Sequence, residues 1–128
     1  MRGTMLCCAA LTAAAAPAEA RSTRDEMMLL EPSERIEQVC NTKAMAEVQR
    51  AGRGLHPDEV VAYAYRDPQV KGWRIKAPGA AVRSGSVWYH IAYDCETEHD
   101  GLDVKSFTYT LGAAIPTSEW GAHLLVAP

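Results

Sequence analysis

Apolar and polar residues alternate most regularly between positions 87 and 95 of the chain. One set is largely apolar and consists of Val87, Tyr89, Ile91, Tyr93 and Cys95; the other consists of Trp88, His90, Ala92 and Asp94. Because successive side chains of a β-strand point to opposite faces of a sheet, this pattern predicts a central strand with one buried face. The buried face ends in a cysteine, which can anchor the strand covalently.

A second periodicity, with apolar residues three or four positions apart, predicts one long helix that begins near Pro32 and ends at Arg50. Its apolar face consists of Ile36, Val39, Cys40, Ala44 and Val48. Ser33 is the predicted N-cap, because a hydroxyl accepts a hydrogen bond from the free N–H groups of the first turn. Gly52 and Gly54 follow Arg50 and indicate the end of the helix.

Shorter patterns predict three further strands and a closing helix. The strands are Val60–Tyr65, the short edge strand Gly72–Lys76 and Val104–Leu111 with Phe107, Tyr109 and Leu111 inward; the helix is Ser118–His123, with Thr117 as its cap and Trp120 on the core. Pro78-Gly79 is interpreted as a turn, and Ser84-Gly85-Ser86 as a hairpin link into the central strand. The aromatic residues of the last strand match those of the central strand, so we expect these two strands to pair antiparallel.

One long helix followed by strands on short turns and a short final helix predicts an α+β fold. We expect an antiparallel sheet of about four strands, with the main helix packed on one face and a short C-terminal helix. Cys95 ends the inward face of the central strand, and Cys40 lies on the apolar face of the helix. The two periodicities therefore point these cysteines at each other.

The first twenty residues have the pattern of a cleaved secretory signal peptide. Arg2 supplies the positive start, Leu6 to Ala16 is a short apolar run, and Ala18-Glu19-Ala20 is an A-x-A cleavage site. That run is too short to span a bilayer, which takes about 20 apolar residues, and no later run is long enough either. We therefore expect a periplasmic or secreted protein without a transmembrane segment, with residues 21–128 forming a single domain.

Removal of this leader would leave Cys40 and Cys95, since the other two cysteines, Cys7 and Cys8, lie within it. A lipid anchor on Cys7 or Cys8 is a rival interpretation, but Leu6 directly precedes Cys7 instead of lying some three residues before it. In an oxidising compartment the two remaining cysteines are expected to pair, the alternative being two free buried thiols. A bond that closes a loop of roughly 56 residues stabilises the fold by about 4 kcal/mol.

The charge balance narrows the class of partner. The chain of 128 residues carries 13 Lys and Arg against 16 Asp and Glu, which gives a formal net charge of −3, and no basic stretch stands out. Proteins that bind nucleic acid contact its phosphates through clustered Lys and Arg, so nucleic acid is excluded as an expected partner. The apolar fraction of 48% is typical of a folded globule rather than a disordered chain.

An ordered set of short motifs resembles the bacterial domain-of-unknown-function family numbered nine hundred and thirty, from about Leu30 to Leu124. The set consists of Glu37-Gln38-Val39-Cys40, Ala44-Met45, Val60–Tyr65, Ala77-Pro78-Gly79-Ala80-Ala81, Arg83-Ser84, Trp88-Tyr89, Cys95, Phe107, Tyr109, Ile115-Pro116 and Trp120. The resemblance implies a small exported protein of Gram-negative bacteria with no assigned chemistry. It supplies no catalytic residues that could be carried over to this chain.

Candidate catalytic chemistry is confined to one pair of residues in the central strand. His90 and Asp94 lie on the same side of that strand, and a general base needs such an orienting partner. The sequence has no G-x-S-x-G nucleophile motif, and both mature cysteines are expected to be paired. We therefore predict no catalytic residue and no cofactor; the alternative is a small periplasmic hydrolase or envelope-processing enzyme that uses His90 and Asp94.

The acidic loop after the central strand resembles the start of a calcium-binding loop, because Glu96, Glu98 and Asp100 alternate. The closing carboxylate of such a loop is missing, since the twelfth position counted from Glu96 is Phe107. His99 could add only a weak contact to a divalent cation. We interpret this segment as a solvated hairpin loop and predict no metal site.

The preferred functional hypothesis is a binding surface formed by Trp73, Arg83, Trp88 and His90. Trp88 and His90 are expected to face outward from the central strand, with the other two flanking them. A tryptophan beside a guanidinium suits contact with a peptide, a glycan or another envelope protein. A homodimer through this face, if it is uncovered, is a second hypothesis for the partner. The alternative is that a short helix or the N-terminal segment covers the face, which would make Trp88 part of the core.

Overall fold

The structure is a computed structural model that describes residues 22–128. The predicted signal peptide and its cleavage site before Arg21 lie outside these residues. The elements, in chain order, are α1 (Thr23–Met27), α2 (Pro32–Arg50), β1 (Pro57–Val61), β2 (Gln69–Lys71), β3 (Arg74–Ser84), β4 (Val87–Thr97), β5 (Val104–Ala114) and α3 (Thr117–Trp120), which continues into a 3-10 turn (Gly121–His123). The fold is α+β, as predicted from the order of the elements.

The long helix α2 has Pro32 as its first residue, where the missing N–H of proline costs no hydrogen bond. Glu31 is its N-cap residue, so the prediction of Ser33 as the cap is wrong, and Ser33 lies within the first turn. The buried face of α2 includes Ile36, Cys40, Ala44 and Val48, at intervals of four residues. This spacing keeps the buried side chains on one side of the helix, which packs on one face of the sheet.

A disulfide bond joins α2 to the sheet. Cys40 and Cys95 are bonded, with their Cα atoms 6.1 Å apart, and neither residue is exposed. The pairing is the one predicted from the two periodicities. It fixes the middle of the helix over β4, so the covalent link reinforces the apolar contacts that surround it.

The sheet is antiparallel, with strand order β1-β3-β4-β5, and β2 pairs with the first part of β3. β4 is the predicted central strand, extended by two residues to Thr97. It pairs with β5 as expected, and the register places Tyr93 beside Tyr109 and Cys95 beside Phe107. The side of β4 that carries Tyr93 and Cys95 faces α2, which confirms the assignment of its inward face.

The predicted edge strand Gly72–Lys76 is not a separate element. Gly72 has a φ of 59° and forms the tight turn between β2 and β3, where Lys71 pairs with Arg74. A residue without a Cβ adopts this left-handed conformation at little cost. Arg74 then begins an eleven-residue strand that continues past Pro78-Gly79 to Ser84.

Pro78-Gly79 forms a β-bulge in β3, so its interpretation as a turn is wrong. The register with β4 shifts between Ala77 and Ala80, while the chain keeps its direction. The buried side chains on the α2 side are therefore odd-numbered before the bulge and even-numbered after it: Ile75, Ala77, Ala80 and Val82. Proline has no N–H to give to a ladder, and a bulge is one of the few places in a sheet that tolerates it.

The bulge also receives the loop that follows β1. That strand ends at Val61, so the predicted continuation to Tyr65 is wrong, and the next residues form a turn. The Tyr65 N–H donates to the Gly79 carbonyl over 2.8 Å. A Cβ at Gly79 would lie 2.6 Å from the backbone nitrogen of Arg66, which is too close for any larger residue. Glycine is needed here because two stretches of backbone meet.

A second, smaller core lies on the opposite side of the sheet from α2. The C-terminal segment, residues 115–128, crosses that side through α3 and the 3-10 turn. Pro116, rather than the predicted Thr117, is at the N-cap position of α3. The buried residues of this second core are Val61, Ala64, Ala81, Trp88, Ile115 and Leu125. Trp120 packs against them, as expected for the closing helix. Within residues 22–128, no helix is both long and apolar enough to cross a membrane.

Candidate functional site

The four residues predicted to form a binding surface do not form one. Trp73 packs against the core on the α2 side of the sheet. Trp88 belongs to the second core on the other side, and Arg83 lies directly across from it in the β3–β4 ladder. His90 is half-buried on the same side as Trp88, two residues further along β4.

Trp88 is not exposed, so its expected role as an outward-facing contact residue is wrong. Its exposed fraction is 0%, because the C-terminal segment covers the indole. The indole N–H donates to the Val126 carbonyl over 2.8 Å, and the Ile115 N–H donates to the Trp88 carbonyl over 2.7 Å. A buried tryptophan needs an acceptor for its N–H, and the chain itself supplies one here.

Arg83 is committed to contacts within the protein. Its guanidinium lies 5.5 Å from the centre of the Trp88 ring and contacts the carboxylates of Asp58 and Glu59. The hydrogen bond from Arg83 lowers the pKa of Asp58. The Arg83 guanidinium also donates to the Val126 carbonyl over 3.3 Å. These contacts leave the Arg83 side chain only 12% exposed, so it positions the C-terminal segment rather than presenting a free cation.

Trp73 lies at the far end of the sheet from Trp88, at the turn before β3. Its ring is stacked on that of His99, with 6.0 Å between the ring centres. The Trp73 carbonyl accepts hydrogen bonds from the backbone N–H and the hydroxyl of Thr97. The residue therefore ties the acidic loop to the sheet.

His90 forms part of a small aromatic cluster. Its ring lies 4.6 Å from the ring of Tyr65, whose other neighbour, His123, is stacked at 3.7 Å between ring centres. Nδ1 of His123 hydrogen-bonds the Ala64 carbonyl at 2.8 Å. The Tyr65 hydroxyl is enclosed and forms no hydrogen bond of good geometry within residues 22–128. Burial raises the pKa of Tyr65, and the negative charge of Glu119 adds to the effect.

The candidate catalytic pair is not assembled. Asp94 accepts two hydrogen bonds of 2.7 Å from the guanidinium of Arg74, and this contact lowers its pKa. Lys76 lies 3.9 Å from the same carboxylate. Asp94 follows His90 by four positions, which corresponds to about 13 Å along β4. The imidazole contacts Tyr65 instead, so the carboxylate does not orient it.

Between His90 and Asp94 the sheet has a shallow concave surface on the side away from α2. Two adjacent depressions, of about 280 and 180 Å³, share Pro78, Ala92 and Thr110 as lining residues. We call them together the outer groove. Its floor is low because of the bulge, the small side chain of Ala92, and Gly112, where a Cβ would lie 2.9 Å from that of His90. A ligand in the outer groove can therefore approach the backbone of the sheet.

The ends of the outer groove differ in chemistry. Asp94 and Lys76 line the larger depression, and His90 lines the smaller one. The exposed hydroxyls of Thr108 and Thr110 lie along one side on β5. The groove thus offers an ion pair at one end, an aromatic cluster at the other and hydroxyl groups between them, a combination that suits a polar, extended ligand.

Two carboxylates of the acidic loop form ion pairs with another part of the chain. Arg24 of α1 contacts the carboxylates of Asp100 and Asp103 at 3.0 and 3.1 Å, which lowers the pKa of Asp103. In the described part of the chain, no group of three His, Cys, Asp or Glu side chains is arranged to hold a metal ion. The carboxylates of the loop therefore anchor α1, a role that the spacing in the sequence does not reveal.

Comparison with known proteins identifies the family. The family model described as Domain of Unknown Function (DUF930) matches residues 27–125. The chain belongs to the DUF930 family. Neither a curated protein nor a solved structure matches it. The matched part of this DUF930 chain includes α2, all five strands and the C-terminal segment as far as Leu125, so the buried residues of both cores and the outer groove lie within it.

One buried charge of the DUF930 domain was missed at the sequence level. Arg35, in the first turn of α2, is 7% exposed and donates to four backbone carbonyls, with no carboxylate among its hydrogen-bond partners. The acceptors are Met27, Met28, Leu30 and Asp100. Arginine on a helix normally indicates a solvated face, so the pattern gave no signal. Arg35 holds the segment before α2 and the acidic loop together.

Proposed function

We propose that this chain is a non-enzymatic, exported binding module of the bacterial cell envelope that takes its ligand in the outer groove. The single observation that carries the proposal is the concave surface over β3, β4 and β5, with polar side chains at its two ends and along one side, which neither α2 nor the C-terminal segment covers. The ligand that fits its chemistry is a polar chain from another envelope component, either a peptide or a glycan.

The way in which the charged residues are used supports binding rather than catalysis. Asp94 is held by Arg74, and His90 lies against Tyr65. A hydrolase that used His90 and Asp94 would need the two side chains in hydrogen-bond contact, or joined by one water, in its reactive state. Their separation of about 13 Å along the strand argues against that alternative. Polar side chains that are held in place beside the small residues of the outer groove can instead orient a ligand and provide specificity.

The location in the periplasm, or outside the cell, is part of the same proposal. The disulfide between Cys40 and Cys95 supports it, because such bonds form and persist in oxidising compartments. The signal-peptide pattern of the first twenty residues also supports it. A pulse-chase experiment with intact-mass analysis of the exported protein tests this part, and the expected product begins at Arg21.

Photo-crosslinking in the native host tests the binding site. A benzophenone amino acid replaces Lys76, which is exposed, lines the outer groove and lies away from the free edge of the sheet. The matched control carries the same amino acid at Ala46, an exposed position of α2 on the other side of the molecule. We expect an adduct from position 76 and none from position 46. The mass of the adduct distinguishes a glycan from a peptide.

Equal labelling from both positions, or no labelling from either, would contradict the proposal. A second arm uses Asp94→Asn, which removes the charge that Arg74 binds at one end of the groove while leaving both cores intact. This substitution should reduce the yield of the adduct from position 76 without changing the amount of folded protein. Hydrolysis of soluble cell-wall fragments by the wild-type chain, lost in His90→Ala, would favour the hydrolase instead.

A further inference from the structure

The two edges of the sheet differ in how they are protected. On one side, β1 has five residues with two acids, Asp58 and Glu59, and β2 has three residues ending in Lys71. Short strands and charges of this kind discourage pairing with another chain. On the other side, β5 has eleven residues and pairs only with β4 within residues 22–128. The edge of β5 is thus the long one.

Between its two register shifts, one near Lys105 and one at Gly112-Ala113, β5 also lacks the usual protective residues. From Ser106 to Leu111, the stretch that pairs regularly with β4, it contains no charged residue and no proline, and Phe107, Thr108, Tyr109 and Thr110 are of the kinds that favour strands. Such an edge presents unpaired N–H and C=O groups to any compatible strand. Proteins that keep a long uncharged edge use it for pairing or risk aggregation, because the backbone groups are a template for a further strand.

The sequence of β5 is complementary to itself. Residues 107–111 read Phe-Thr-Tyr-Thr-Leu, which has the same order of residue classes in both directions about Tyr109. We propose that two copies of this chain associate through β5, antiparallel and centred on Tyr109, to form one continuous sheet. A two-fold axis requires the same patch on both subunits, and this sequence supplies it. The proposal does not depend on the ligand of the outer groove.

In this register, the side chains on each face of β5 lie beside those on the same face of β5 in the second copy. On the α2 side, Phe107, Tyr109 and Leu111 are half-buried against the main core, and the partner copy would cover their exposed parts. Phe107 lies opposite Leu111 of the second copy. On the other side, Thr108 lies opposite Thr110, and hydroxyl pairs of this kind stabilise antiparallel strands.

The same register avoids electrostatic conflict. Lys105 is the one charged residue of β5, and it lies at the register shift near the start of the strand, outside the paired residues 107–111. The irregular positions Gly112 and Ala113 also lie outside these paired residues, and their small size leaves the ends of the paired stretch free of steric conflict. Like charges are therefore absent from the interface, whereas a partner of high charge would gain nothing from the uncharged edge. A second copy of this chain is the partner that these residues fit.

Sedimentation equilibrium of the purified chain tests the association. The variant Thr108→Lys/Thr110→Lys places like charges opposite each other at exposed positions of the edge, and it leaves both cores unchanged. We expect its dimer dissociation constant to be about 10- to 100-fold higher than that of the wild type. The control Ala46→Lys/Gln49→Lys adds the same charge to exposed positions of α2 and should leave the constant unchanged.

Cysteine crosslinking tests the register. In the proposed dimer, position 109 lies opposite itself at a Cα distance of about 5 Å, which allows a disulfide, so Tyr109→Cys should crosslink under mild oxidation. Position 106 lies about 20 Å from its counterpart, so Ser106→Cys should not crosslink. A monomeric wild type at 100 μM or so, a dimer indifferent to the lysine pair, or crosslinking at 106 rather than 109 would each overturn the proposal. So would capture of a different protein by a chain that is monomeric alone.

Discussion

Removal of the Trp88 side chain should remove most of the stability of the second core. The indole is fully buried, donates to the Val126 carbonyl and lies beneath the Arg83 guanidinium. Truncation of a buried tryptophan to alanine costs about 3–5 kcal/mol. The lost hydrogen bond adds about 1 kcal/mol to this figure, and the lost cation–π contact about 0.5 kcal/mol. We therefore expect Trp88→Ala to lower the free energy of unfolding by about 4.5–6.5 kcal/mol.

A loss of that size approaches the whole stability of a small domain, about 5–15 kcal/mol, so a milder variant is needed for a quantitative result. Trp88→Phe keeps most of the apolar contact and loses the indole N–H, and it should cost about 1–3 kcal/mol. Urea denaturation with the disulfide intact measures both variants. For a domain of this length, each 1 kcal/mol lowers Tm by about 4–8 °C.

The matched control is Tyr63→Ala, because Tyr63 is a large aromatic residue that is 48% exposed. Its removal should change the free energy of unfolding by less than about 0.5 kcal/mol. If Trp88→Ala is no more destabilising than this control, the C-terminal segment does not pack on Trp88 in solution. The assignment of Trp88 to the core would then be wrong, and its predicted role as an exposed contact residue would regain support.

Three further predictions concern the links between elements. Replacement of both Cys40 and Cys95 by alanine should lower the free energy of unfolding by about 4 kcal/mol, measured by urea denaturation against the oxidised wild type. Arg35→Met removes the side-chain donor of four backbone carbonyls and should cost about 3 kcal/mol, with faster amide exchange at residues 98–103 as the specific readout. Burial raises the pKa of Tyr93, so folding favours its neutral form. The contribution of this group to stability should therefore be fully present below the unfolded pKa of about 10 and should be lost as the pH rises from that value toward the raised pKa of the folded state. Tyr93→Phe should flatten this decline and, because the buried Asn41 carbonyl oxygen loses its donor, cost about 1–2 kcal/mol at pH 7.

The parts of the fold that follow from side-chain periodicity could be predicted from the sequence. The alternation in β4 identified the face that packs on α2, and the helical spacing identified the face that carries Cys40. The strand alternation assigned Cys95 to a buried face, and the helical spacing assigned Cys40 to another, so the disulfide between them could be predicted. Pairing of β4 with β5 followed from matching aromatic residues.

The second core could not be predicted in the same way. The segment Leu124–Pro128 has no periodicity, and its contact with Trp88 uses a backbone carbonyl, which every residue has. Leu124 adopts a left-handed conformation, with a φ of 60°, and this reverses the chain so that Leu125 enters the core. Leucine rarely adopts that conformation, so the sequence carried no turn signal there.

The candidate site depends on Pro78-Gly79, a dipeptide that was interpreted from the sequence as a turn. Proline followed by glycine is typical of both a turn and a bulge, and nothing local in Pro78-Gly79 decides between them. The decision comes from pairing with β4 on both sides of the dipeptide. The outer groove exists because the strand continues, so its prediction required the register and not only the residue types.

The single inserted residue of the bulge makes β3 sensitive to the parity of its length. If Pro78 and Gly79 were both kept but the strand were straightened into regular alternation, the stretch before them would rotate by half a turn about its own axis. Ile75 and Ala77 would then point into solvent, and Arg74 and Lys76 would point at the disulfide. Deletion of Gly79 alone would instead give regular alternation with Ile75, Ala77, Ala80 and Val82 still on the α2 side, so the bulge and the outer groove would be lost while the core face was kept.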